Sequence, residues 1–323
     1  MPTAHPHLAA IAAVAREAGI MPADPLTQPL DQARLNARAY QGLWNQPLPP
    51  IHGIATAQTV SPRGTPVTVT IFYPDDRRDH LPVLIYFHGG GFALNGVETH
   101  ERLMRLLALR SGAAVVGVSY TLAPELRFPG QLDEALAAIA WARTEGAQYG
   151  LDGGRLAVGG DSAGANLALA ATLSLRDAGA PLPWAGLLFY GMFSADLTSP
   201  SHRAYGQGGF GLTTERVDWF WSQYLADRAQ RDNPLAAPLW ADLEGLPPQL
   251  VIAAGLDCLK DDSLALAERL AQAGVPHTLS VYPGVPHSFM QMSAHLAPAD
   301  AAITEAAAAL RRCLTAPLRM AAE

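Results

Sequence analysis

Two cysteines in 323 residues, Cys258 and Cys313, are too few for a disulfide framework, and neither stands in a CxxC or His-rich spacing suited to zinc. A reducing compartment follows, and a cytoplasmic location is expected. Charge is also scarce. Asp, Glu, Lys and Arg make up 16% of the residues, and the formal net charge of −7 comes with no cluster of Lys and Arg. Nucleic acid is therefore not an expected partner, because counterion release needs a basic field. No apolar run approaches the ~20 residues of a membrane-spanning helix, so no membrane partner is expected either. The apolar stretch Leu8 to Ala15 has no positive residue before it and runs straight into Arg16 and Glu17, which argues against a secretory signal. With 49% apolar residues, the composition is that of an ordinary globular chain, and a single domain over 1–323 is expected.

The first 48 residues read as two helices, Leu8 to Ala18 and Leu30 to Trp44, separated by the Pro-rich stretch 21–29. Strands follow at Ile54 to Val60 and Val67 to Tyr73, where apolar and threonine positions alternate. From Leu81 the pattern changes to short continuous apolar strands separated by longer amphipathic helices. The strands are Val83 to Phe87, Ala114 to Tyr120, Leu156 to Gly159, Ala185 to Tyr190, Gln249 to Ala254 and Thr278 to Tyr282. That rhythm predicts an α/β fold with a mainly parallel sheet of about eight strands and helices on both faces. One segment breaks it. Residues 193–246 form a long insertion carrying Tyr205, Phe210, Trp219, Phe220, Trp221 and Tyr224. Insertions of this length usually cover a site or pack as a subdomain.

Gly160-Asp161-Ser162-Ala163-Gly164 is a GxSxG placed after a predicted strand and at the start of a predicted helix, the setting a nucleophile elbow requires. Taken alone it also suits a Gly-rich βα turn of a nucleotide-binding fold. His88-Gly89-Gly90-Gly91, directly after the strand Val83 to Phe87, weighs against that alternative, since it lacks both the GK[ST] ending and the GxGxxG spacing. Three glycines instead let the main chain approach a substrate and aim N–H groups at an oxygen that becomes negative. The expected oxyanion hole consists of the N–H groups of Gly89, Gly90 and Ala163. His88 reads as a loop-fixing residue rather than a base.

Nucleophile, acid and histidine follow one another in that order in this type of fold. Asp257 lies just after the strand Gln249 to Ala254, and His287 just after the strand Thr278 to Tyr282. Asp257 is therefore expected to orient His287, and His287 to take the proton of Ser162, so activity should fall as that histidine becomes protonated. Asp261 and Asp262 compete for the acid's role but read as charges at a helix N-terminus. Cys258 reads as a buried, inert thiol, and His277 precedes its strand.

Together these residues resemble the hormone-sensitive-lipase-like branch of bacterial esterases, marked by HGGG, GDSAG, DxLxDD and a late His followed two positions on by Phe. Here the marks are His88 to Gly91, Gly160 to Gly164, Asp257 to Asp262, and His287-Ser288-Phe289, with Tyr120 to Glu125 similar to that branch's YRLAPE. Gly164 to Leu169, Leu259 to Ser263 and Tyr282 to Gly284 look most like the bacterial acetyl esterases. Two departures stand out: Ala165 where many members carry a glycine, and Cys258 where many carry a proline.

The resemblance implies an α/β-hydrolase fold with a helical cap formed by 1–48 and 193–246, short acyl groups as substrates, and Phe92 and Met290 facing an acyl pocket. The expected reaction is hydrolysis of a small-molecule ester by water through an acyl-enzyme, with no cofactor and no metal. An amidase or lactonase using the same triad, or a non-catalytic receptor on the same fold, are the alternatives. A homodimer through Thr278 to Leu314 is possible on this pattern.

Overall fold

The structure, a computed structural model, describes residues 3–20, 22, 24–76 and 79–315. Two positions of the Pro-rich stretch, 21 and 23, residues 77–78, and the ends of the chain at 1–2 and 316–323 lie outside the described residues.

Eight strands form one sheet: β1 (Gly53–Val60), β2 (Pro66–Tyr73), β3 (Leu81–Phe87), β4 (Ala114–Ser119), β5 (Leu151–Asp161), β6 (Gly186–Phe189), β7 (Gln249–Leu256) and β8 (His277–Pro286). Their order is β1-β2-β4-β3-β5-β6-β7-β8. Pairings of β1 with β2 and of β2 with β4 are antiparallel, and the remaining five are parallel. The helices are α1 (His7–Glu17), α2 (Leu30–Asn45), α3 (Glu101–Ser111), α4 (Gly130–Thr144), α5 (Ala163–Asp177), α6 (Pro200–Tyr205), α7 (Thr214–Tyr224), α8 (Lys260–Gln272) and α9 (Ala297–Thr315).

Strand alternation divides the apolar residues between two cores. From β3, Val83, Ile85 and Phe87 pack on one face with α4, α5 and α8, while Leu84 and Tyr86 pack on the other with α3 and α9. Burial on both faces is why β3 reads as a continuous apolar run rather than an alternating one. The antiparallel edge strand β1 alternates half-buried and exposed positions, with Ala57 fully covered, as a strand with one wet face does.

Three boundaries differ from expectation by three residues or more, the first being the end of β8, which runs past Tyr282 to Pro286; that strand also takes in His277 as its first residue. β5 begins at Leu151, where Leu151 and Asp152 pair with Leu81 and Pro82 ahead of a register shift between Pro82 and Val83. Gly153, Gly154 and Arg155 occupy that irregularity, so no apolar pattern marks it in the sequence. α8 begins at Lys260 rather than Ser263, which takes Asp261 and Asp262 into its first turn.

Parallel pairing brings the C-terminal ends of β3, β5, β7 and β8 to one rim, where ligands of open α/β sheets collect. The glycine loop, Ser162, Asp257 and His287 all leave the sheet there.

Candidate active site

Ser162 occupies the turn between β5 and α5 with φ 55° and ψ −119°, a conformation a non-glycine residue adopts only under constraint. Its N–H donates to Phe189 O at 2.8 Å and its carbonyl accepts from Met192 N at 3.2 Å. The flanking glycines are demanded by close approach. A Cβ on Gly160 would lie 2.5 Å from Phe87 O, and one on Gly164 would lie 1.9 Å from the same oxygen. The elbow is therefore pressed against the end of β3, and this lifts the serine hydroxyl onto the rim.

His287 reaches that hydroxyl. Its Nε2 is 2.9 Å from Ser162 Oγ, and its Nδ1 is 2.7 Å from Asp257 Oδ2. Asp257 Oδ1 also accepts Leu259 N–H at 2.9 Å, which fixes the carboxylate. With Nδ1–H donating to the acid, Nε2 carries the lone pair that accepts from the serine. A contiguous acid, imidazole and hydroxyl of this kind can take a proton from an attacking oxygen and return it to a leaving group.

The glycine loop corrects one expectation. Gly89 N–H does not face the site. It donates to Oδ1 of Asp161 at 3.0 Å, and that buried carboxylate also accepts from Tyr86 Oη at 2.8 Å and lies 3.3 Å from His100 Nε2. Gly90 and Gly91 border the cavity beside Ser162. Among the described residues neither of their N–H groups is taken by another acceptor, nor is that of Ala163 at the start of α5. Gly91, which sequence reasoning left out, therefore has a free N–H beside Ser162 where Gly89 does not. HGGG offers two adjacent glycine pairs, and only the position of the Asp161 carboxylate selects between them.

Burial acts on Asp161 to raise its pKa, but His100 and the hydrogen bonds from His100 and Tyr86 prevail and hold it below the usual carboxylate range. His88 behaves oppositely. Burial, reinforced by His100, pushes it down to about 3. It is thus a neutral ring, placed with Nδ1 2.8 Å from Gly89 O and stacked on Tyr120 at 4.3 Å, whose hydroxyl donates to His88 O at 2.7 Å. This is the loop-fixing arrangement that its sequence context suggests.

Residues 84–291 match the profile of the α/β-hydrolase fold family. Over 256 residues the chain is 37% identical to carboxylesterase NlhH of Mycobacterium tuberculosis, covering 78% of this chain and 80% of that relative. The chain belongs to the α/β-hydrolase fold family. Among solved structures, this hydrolase is similar to the hyperthermophilic esterase of the archaeon Pyrobaculum calidifontis, with a TM-score of 0.90 and 32% identity over 98% of this chain and 100% of that one. It is also similar to a thermostable esterase of Pseudomonas putida, with a TM-score of 0.87 and 32% identity over 98% and 99% of the two chains.

In this α/β hydrolase a cavity of about 510 Å³ opens over Ser162 and His287. Its walls come from α1 and α2, through Leu8, Ile11 and Tyr40, and from the insertion, through Phe210, Leu212 and Phe220. Phe92 and Met290 do not border it, contrary to expectation. The Phe92 ring stacks on Tyr224 of α7 at 3.7 Å, and Met290 is fully buried among the residues packed with α9. Met292, two positions on, borders the cavity instead. The aromatic residues of the insertion divide the same way: Phe210 and Phe220 face the cavity, while Trp221 and Tyr224 are fully buried.

Asp261 and Asp262 lie in the first turn of α8, as their acidity suggests, yet each does more than complement the helix terminus. Asp262 Oδ2 accepts Phe193 N–H at 3.0 Å and Ser194 N–H at 2.9 Å, and Asp261 Oδ2 accepts Ser201 N–H at 2.8 Å. Burial pushes Asp262 well above the ordinary carboxylate range. Both acids tie the insertion to α8, and neither bonds His287. Cys258 is fully buried, and burial with the adjacent Asp257 and Asp262 pushes its thiol far up, so it supplies no thiolate. Among the described residues no group of three or more His, Cys, Asp or Glu is placed to hold a metal ion.

Proposed function

We propose that this chain is a serine carboxylesterase acting on small-molecule esters with short acyl groups, acetyl to about octanoyl. The carrying observation is the unbroken line from Asp257 through His287 to Ser162, with contacts of 2.7 and 2.9 Å, at a strained turn on the sheet's C-terminal rim. Names of the relatives support the same reading, since NlhH is a carboxylesterase and the structural neighbours are esterases.

In this reading Ser162 Oγ attacks the acyl carbonyl while His287 Nε2 takes its proton, and Asp257 steadies the imidazolium that forms. N–H groups of Gly90, Gly91 and Ala163 receive the oxyanion, and Gly89, bonded to Asp161, holds the loop in place behind them. Collapse expels the alcohol with the proton from His287 and leaves an acyl-enzyme. Water, deprotonated by the same imidazole, attacks that ester and releases the acid. The roofing of the rim by α1, α2 and 193–246 fits a cap that excludes bulk water during these steps.

A p-nitrophenyl ester series from acetate to laurate tests the reading. Best turnover at acetate to octanoate is expected, and Ser162→Ala should lower it by a factor on the order of a million, as in comparable serine enzymes. A long-chain optimum overturns the short-acyl assignment, and a Ser162→Ala protein with most of its activity overturns the nucleophile.

A further inference from the structure

The cavity wall holds one group that neither the triad nor the oxyanion loop uses. Arg216 lies in the first turn of α7, four residues before Phe220, so that the two share the helix face that borders the cavity while Val217, Trp221 and Tyr224 face the core. Its Nε is buried without a hydrogen-bond partner, and among the described residues no carboxylate forms an ion pair with its guanidinium.

Other arginines of the chain also lack a carboxylate partner, but among the described residues Arg216 is the one whose guanidinium has a buried nitrogen with no hydrogen bond. Asp and Glu outnumber Lys and Arg by 29 to 22, so carboxylates are plentiful. Arg34, Arg105, Arg110, Arg155, Arg176 and Arg231 each hold one at 2.5 to 2.7 Å. A guanidinium stays charged under all ordinary conditions, and although Arg216 as a residue is only half-buried, a guanidinium nitrogen shut off from water without a partner is costly to retain.

The surroundings show where a counterion would come from. The acid whose charge acts on Arg216, Asp24, is engaged elsewhere, accepting Leu26 N–H at 3.2 Å and Thr27 Oγ1–H at 2.8 Å. Burial pushes Arg216 downward, with Asp24, Cys258 and Tyr40 only partly offsetting it. Tyr40 and Gln41 of α2 border the same cavity, and Gln41 carries a buried amide oxygen without a partner. The rest of that wall is apolar, built from Leu8, Ile11, Leu212 and Phe220. An apolar cavity with one unmatched cation selects a ligand that is largely hydrocarbon and carries one anionic group.

We propose that Arg216 makes this cavity selective for esters that bear a carboxylate, the guanidinium binding that carboxylate while the ester carbonyl lies at Ser162. The proposal rests on the esterase reading above and names the substrate class of that site. Arg216 acts as a specificity-determining residue and takes no part in the bond changes. The carboxylate could belong to the acyl part, as in a half-ester of a dicarboxylic acid, or to the alcohol part, and the experiment separates the two.

Two matched pairs of substrates do so. Mono-4-nitrophenyl glutarate against 4-nitrophenyl valerate replaces a terminal methyl by a carboxylate on the acyl side. For the alcohol side, 4-carboxyphenyl butyrate is compared with 4-methylphenyl butyrate. Arg216→Leu is expected to lower kcat/KM for the charged member of one pair by roughly tenfold to a hundredfold more than for its neutral partner, the usual worth of a charge-assisted hydrogen bond. Arg216→Lys should keep part of the preference, and thermal unfolding of both variants reports whether the fold survives. An equal fall for charged and neutral members in both pairs overturns the proposal and makes Arg216 a packing residue that joins α7 to the N-terminal helices.

Binding to the Ser162→Ala protein, with and without Arg216→Leu, needs no turnover. If the wild type hydrolyses none of the esters but glutarate-ester binding still depends on Arg216, the esterase reading fails and the anion site stands. If turnover is normal and its charge preference does not depend on Arg216, the site fails and the esterase stands.

Discussion

Substituting Gly164 by Ala tests the packing that creates the nucleophile elbow. The added Cβ would stand 1.9 Å from Phe87 O and 2.7 Å from His88 O, both backbone atoms, and contacts under 3.0 Å are essentially never seen. Either α5 or the end of β3 has to retreat by about 1 Å to clear that floor, and no flexible side chain can absorb the shift. Overpacking of this kind costs about 1–3 kcal/mol. For a chain of this size that lowers Tm by roughly 2–4 °C per kcal/mol. Activity should suffer more than stability, because the retreat separates Ser162 Oγ and Ala163 N–H from His287, which now reaches the hydroxyl at 2.9 Å. A misplacement near ~1 Å in such a site costs on the order of a hundredfold in rate. The assay is kcat/KM on 4-nitrophenyl butyrate beside thermal unfolding by circular dichroism. Gly42→Ala is the control: Gly42 lies inside α2 with nothing within 4 Å of the added Cβ, so the variant should gain about 0.5–1 kcal/mol and keep full activity. Wild-type kcat/KM in Gly164→Ala would refute the close approach of elbow and β3.

Two further outcomes follow from groups around the rim. His88 titrates near 3 in the folded chain but near ~6.5 when unfolded, so between those values the unfolded state binds more protons; stability is whole above ~6.5 and is lost as pH falls toward 3, on the order of 5 kcal/mol in all. Urea unfolding at neutral and mildly acid pH should show that slope flattened in His88→Asn, and an unchanged slope would contradict the assignment to His88. Arg34 donates to Ala93 O and Ala123 O at 2.9 Å each and pairs with Glu125 at 2.6 Å, which clips α2 to the loops behind the glycines 89–91. Arg34→Met should cost about 2 kcal/mol, whereas Glu125→Gln, at a half-exposed carboxylate, should cost less than about 1 kcal/mol. Equal losses in the two variants would show that the ion pair, and not the carbonyl contacts, does the holding.

What the sequence alone determined is what is encoded over short stretches. The strained strand-turn-helix at Ser162 could be anticipated because such an elbow needs small residues on both sides of one serine between a strand and a helix, and all of that lies within a dozen positions. The parallel sheet was legible for a similar reason, since burial on both faces leaves a continuous apolar run in each central strand. Asp257 and His287 could be placed by chain order and strand ends alone, because parallel strands deliver their C-terminal residues to a common rim.

Tertiary packing decided everything that depends on which segments meet. Gly89, Gly90 and Gly91 are chemically identical in the sequence and all border the cavity; the buried carboxylate of Asp161, 72 positions away, takes up the N–H of Gly89 and leaves those of Gly90 and Gly91 without an acceptor among the described residues. Phe92 follows that loop, yet its ring goes to Tyr224 of α7, because the insertion packs an aromatic face there. Arg216 looks like any surface charge on an amphipathic helix until α1 and α2 close over it and leave it without a counterion. Local geometry is set by the residues that form it, whereas the walls of a cavity are set by contacts between segments far apart in the chain, and no local pattern carries that information.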